Sequence, residues 1–152
     1  MNNFSTVYDF LLHNQKLHAR IAEFYRALQL ETSDERVNML LTILVKHELA
    51  LLNSMRNYIE QANNNTLDTY VQFDREKSVE NLFSVDFDRS DISTDNVEHL
   101  AHRFDQYFSE LYDGMSTATE NEQVTELFDN LCQYISEEKK RVSKDLNSVQ
   151  DM

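Results

Sequence analysis

The chain has one glycine, no proline, no tryptophan and one cysteine among its 152 residues. Without glycine or proline there is little raw material for tight turns or helix breaks, so long uninterrupted helices are what this composition favours. A single cysteine, Cys132, closes no internal disulfide. Its apolar neighbours Leu131 and Ile135 mark it as a small buried hydrophobe, since a reactive thiol would need basic groups around it. Basic residues are also scarce: 14 Lys and Arg stand against 27 Asp and Glu, a formal net charge of -13. Binding phosphates takes clustered cations, so this balance speaks against nucleic acid and against anionic membrane surfaces. No apolar run approaches the ~18 to 20 residues of a membrane span, and the opening MNNFSTVYDF lacks the basic and apolar regions of a secretory signal. A cytoplasmic protein is the expectation.

The length suits one domain, 1–152, of a size that buries about two-thirds of its unfolded surface without staples. Four amphipathic stretches predict an all-α, antiparallel four-helix bundle. The first helix covers about 4–30, with Val7, Leu11, Ile21, Tyr25 and Leu28 on one stripe; the second covers about 33–62, with Val37, Leu41, Leu44, Leu51, Met55 and Tyr58 inward. Between them Thr32 and Glu35 have the spacing of a capping box. The third helix covers about 95–118 (Val97, Ala101, Phe104, Phe108, Leu111, Met115) and the fourth about 120–146 (Val124, Phe128, Leu131, Ile135, Val142). Asn63, Asn64 and Asn65 end the second helix, and periodicity is lost over about 63–94. A connection that long inside one domain predicts a crossover spanning the bundle.

Laid over each other at an offset of 87 residues, the halves match at Glu23, Tyr25, Thr32, Glu35, Val37, Leu40 and Leu44 against Glu110, Tyr112, Thr119, Glu122, Val124, Leu127 and Leu131. Two hairpins and a long link give the connectivity of ferritin-like bundles. The stretches Ile21 to Leu28, Leu44 to Leu52 and Ser136 to Val142 carry a resemblance to that superfamily, rubrerythrins and bacterioferritins included. The resemblance implies a di-iron or di-manganese centre built from a Glu on each of two helices and a Glu-x-x-His on each of the other two. No Glu here has His three residues later: Glu48 is followed at that spacing by Leu51, Glu137 by Lys140 and Glu138 by Arg141. An arginine in place of a ligating histidine puts positive charge where a cation should sit.

Polar residues nevertheless interrupt the seams. Asn14 and His18 fall inward on the first helix, Glu48 on the second and Glu138 on the fourth. Counting outward from the turn near residue 32 puts His18 opposite Glu48, and counting from the turn near Thr119 puts His102 opposite Glu138. His47 and His99 lie close to the same level. Burying a carboxylate without a partner costs several kcal/mol, so these groups are a paired polar layer that fixes helix register, or ligands of an atypical metal site formed by His18, Glu48, His102 and Glu138, or, with the faces one residue out, carboxylates in solvent. The leading expectation is a non-enzymatic ferritin-like bundle with a structural or interaction role, no cofactor, and self-association through an exposed helix face or the crossover. The alternative is an iron- or manganese-dependent oxidoreductase or metal-storage bundle.

Other features read more plainly. Glu23 is placed in solvent, Asn64-Asn65-Thr66 fits a glycosylation acceptor without secretory context, and Asp86 to Asp91 begins like a calcium loop but has Asp91 and Val97 where Gly and Glu are needed. The crossover aromatics Tyr70, Phe73, Phe83 and Phe87 call for burial against the bundle or a partner.

Overall fold

A computed structural model describes residues 4–72, 79–117 and 119–151. Its body is four long helices packed against one another: α1 Val7–Glu31, α2 Glu35–Gln61, α5 Thr94–Thr117 and α6 Glu122–Gln150. Two single-turn helices, α3 Asn64–Leu67 and α4 Val79–Leu82, and a 3-10 turn at Arg89–Asp91 lie in the connection between α2 and α5. No helix among the described residues is long and apolar enough to cross a membrane.

The helix starts are side-chain caps. Thr6 accepts from the Asp9 amide while the Asp9 carboxylate accepts from the Thr6 amide, a complete capping box for α1. Asp34 caps α2 through the Val37 amide at 3.0 Å, and Asn121 caps α6. The cap of α2 is therefore two residues later than the Thr32 and Glu35 pattern suggests, and Thr32 instead closes the end of α1.

Contacts give the helix directions. His18 meets Glu48 and Gln29 meets Asn38, so α1 and α2 are antiparallel. Phe10 on Tyr112, His18 on Phe108 and Tyr25 on Phe104 make α1 and α5 antiparallel as well. His47 with Asp105 and Met55 with Tyr112 run in the same order along both chains, so α2 and α5 are parallel. Two parallel helices in succession need a connection that returns along the bundle. It does so against α1. A two-stranded antiparallel ladder, β1 Phe4–Thr6 with β2 Tyr70–Gln72, holds it at the foot of α1. Glu80 then binds Arg20 through two hydrogen bonds, Phe83 packs on Phe24 and Phe104, and Arg89 reaches Glu31 at the far end. Helix pattern alone extends the first helix to residue 4; the ladder takes residues 4–6 as a strand.

The core is dense in aromatics. Phe10, Phe104, Phe108, Tyr112 and Phe128 are fully buried and meet edge-on or stacked, and the Tyr112 hydroxyl donates to the Met55 sulfur. Phe83 and Phe87 are half-buried against this core, whereas Tyr70 is exposed; Phe73 lies outside the described residues. Cys132 is half-buried, and burial first, then Asp113 and Asp129, push its thiol above its ordinary range. Glu23 is in solvent, paired with Arg26.

Candidate functional site

Midway along the bundle each long helix contributes ionisable groups to one buried layer. From α1 comes His18, from α2 the neighbours His47 and Glu48, from α5 Asp105 and from α6 Glu138; Asn14 lies one turn from His18 on the same face. Their positions follow from helix periodicity. His18 and Asn14 are in line with Leu11, Ile21 and Tyr25, and Glu48 with Leu44 and Leu51. His47 and Asp105 occupy the flanks of their stripes, beside Leu44 and Leu51 and between Ala101 and Phe108 respectively.

His18 and Glu48 face each other as the turn count predicts, Nδ1 to Oε2 at 2.7 Å. Burial takes His18 down to about 3, His47 adding to the shift and Asp105 opposing it. Burial likewise pushes Glu48 up to about 8, with His47 pulling back and Asp105 pushing further. At neutral pH both are uncharged, so the Glu48 carboxyl O–H donates to Nδ1 and the His18 proton sits on Nε2. That Nε2 has no hydrogen-bond partner among the described residues, nor has either amide atom of Asn14. The His18 ring stacks on Phe108 at 4.0 Å between centroids.

His47 carries the opposite assignment. Burial alone would lower it, but the hydrogen bond to Asp105 and the negative charges of Asp105 and Glu138 raise it above its ordinary value, with Glu48 adding to this only once it ionises. Its Nε2–H donates to Asp105 Oδ1 at 3.0 Å, and Nδ1 stands 3.6 Å from Glu138 Oε1, beyond a hydrogen bond. Glu138 is bound instead by Arg141, whose own side chain is largely exposed. His47, Glu48 and Asp105 each present one donor atom within 4.8 Å of the others, all buried.

Of the four residues that the sequence offers as a polar layer or, alternatively, as ligands, His18, Glu48 and Glu138 are in the buried layer and His102 is not. His102 is exposed on α5, and Asp105, three residues on, takes the inward place assigned to it. The geometric reason is small. At 100° per residue the α5 stripe runs through Ala101, Phe104 and Phe108, and Asp105 is on its inner flank while His102 is on the outer. His99 is exposed as well.

The residues do not fit the dinuclear centre that the family resemblance implies. Arg141, standing where that pattern has histidine, donates to Glu138 and occupies it. They do fit a single divalent cation. One imidazole and two carboxylates converge, the donor set of manganese, iron or zinc, and the His47 Nδ1 has no hydrogen-bond partner among the described residues. No protein-family model matches the chain, and comparisons with curated proteins and with solved structures give no match.

Proposed function

We propose that this chain is a ferritin-like bundle that holds a single divalent cation, iron, manganese or zinc, between α2 and α5 through His47, Glu48 and Asp105. The observation that carries this reading is the convergence of those three donors within 4.8 Å in a buried layer. Without a cation the layer is costly. Glu48 is driven to keep its proton up to about pH 8, and the buried His47 Nδ1 has no hydrogen-bond partner among the described residues. A bound cation would draw Glu48 into its ionised form, offset the carboxylate charge and supply Lewis acidity, with redox chemistry added where the ion is iron or manganese.

Metal analysis of protein purified without added metal and without chelator tests it. Wild type should carry close to one equivalent, and His47→Gln and Asp105→Asn, which keep size and hydrogen bonding, should carry none. Metal-free wild type whose melting temperature no divalent cation raises would defeat the reading.

A second reading has its own support. His47 between Asp105 and Glu138, and Arg141 on Glu138, balance charge within the layer, as a register-fixing network in a structural or interaction bundle would. It expects an empty centre in wild type and large stability losses in the same variants.

A further inference from the structure

The buried layer is not equally buried on all sides. Toward α1 it is sealed: Asn14 and His18 are fully buried and Glu48 is 1% exposed. Toward α5 and α6 it thins, with Asp105 at 6% and Glu138 at 8%. On that side a surface cleft runs between the two helices, and Asp105 is part of its lining while also bonded to His47. One side chain therefore touches both the solvent-filled cleft and the donor cluster. The cleft walls carry Glu98 and His102 from α5 and Lys139 and Asn147 from α6.

We infer that the cleft between α5 and α6 is the port by which a divalent cation reaches the buried centre, with Glu98 and His102 capturing it at the rim and Asp105 passing it inward. The inference rests on the metal-binding reading above. Glu98, half-buried, and His102, exposed, lie four residues apart on α5, one turn along the same face, so a carboxylate and an imidazole line the cleft together. Asp105 follows His102 by three residues, the next step inward along the same helix. A hydrated cation meets a hard anionic oxygen first, then an imidazole, then the carboxylate that faces both ways. Glu98 accepts a hydrogen bond from Gln150 at 3.1 Å, which holds its carboxylate at the cleft. The net charge of -13 draws cations to the whole surface, and Lys139, the basic group of the lining, opposes them at this one place. Lys139 therefore sets a toll on entry, and its removal should speed passage.

The property at stake is a rate, because a port alters how fast the centre fills and empties without altering the affinity of the filled state. Chelator-treated protein is mixed with Zn2+ bound to a fluorescent indicator, and the transfer rate is followed; release is followed separately by extraction of Zn2+ with EDTA, and affinity comes from calorimetry. The Glu98→Gln, His102→Ala double variant should load and release about tenfold more slowly than wild type with Kd unchanged, and Lys139→Ala should do both faster. Rates equal to wild type in the double variant, with His47→Gln still abolishing binding, would overturn the port and leave the centre standing. A double variant with weakened Kd would also overturn it, since the rim groups would then be ligands. A wild type that takes up no Zn2+ would remove the centre and the port together. All three substitutions are at the surface, and coincident circular dichroism melts establish that the variants are folded.

Discussion

His18 and Glu48 show how one buried contact sets the response to pH. In an unfolded chain they titrate near 6.5 and 4.5. Below pH 6.5 the unfolded chain takes up a proton at His18 that the folded protein refuses until about pH 3, so acid costs stability across that window. Between pH 4.5 and about 8 the folded protein keeps a proton on Glu48 that the unfolded chain releases, so stability falls as pH rises. The two slopes cancel between 4.5 and 6.5, and the melting temperature of the metal-free protein should be level there and decline on both sides. His47, whose pKa is raised, contributes stability at low pH that is lost as pH climbs through its folded value, which steepens the alkaline decline. Glu48→Gln should flatten most of that decline in a melting series from pH 4 to 9; a variant as steep as wild type would contradict the assignment. Asp105→Ala leaves the buried His47 Nε2–H without its acceptor and should cost about 1–3 kcal/mol in urea titration. The pairing of His18 with Glu48 was readable in the sequence, because both lie on the central line of their stripes and turn counting brings them level. Asp105 escaped it, and His47 entered it only as the neighbour of Glu48, for one reason. Each is a flank residue beside a strong apolar neighbour, and a three-four pattern credits the neighbour.

At the scale of the element, the helices follow from composition and period, and their ends follow from local hydrogen bonds that composition does not resolve. Thr32 and Asp34 are both good capping residues two positions apart, and only the geometry of the turn decides that Asp34 reaches the Val37 amide. Asp34→Ala should therefore cost about 1 kcal/mol, measured by chemical denaturation, and Thr32→Ala distinctly less. The ladder of β1 and β2 was not legible for a different reason. Three residues on each strand are too few to show alternation, and the pairing spans more than sixty positions, so nothing local announces it. In the connection, Leu82 and Ile92 are buried, while Phe83 and Phe87 cover the core from outside. Its loss of period reflects this anchoring at scattered points, each with its own spacing.

Across the whole molecule the strongest constraint is charge. A net charge of -13 on a domain of 18.0 kDa repels itself in the compact state, so added monovalent salt should raise the melting temperature of the metal-free protein up to about 0.5 M. A cation bound only in the folded state should add to this: at about a hundred times its Kd the midpoint should rise by about 5–10 °C in wild type and not at all in His47→Gln. The same salt acts unevenly on the long connection. Its near end is clasped by main-chain hydrogen bonds between β1 and β2 and by the Val7 amide on the Thr69 carbonyl at 2.9 Å, which ions barely disturb. Farther along, Arg20 with Glu80 and Arg89 with Glu31 are partly exposed ion pairs that ions do weaken. The strap over α1 is thus hinged at one end and latched at the other, and in concentrated salt amide exchange should quicken around residues 80 to 91 while residues 70 to 72 keep their protection.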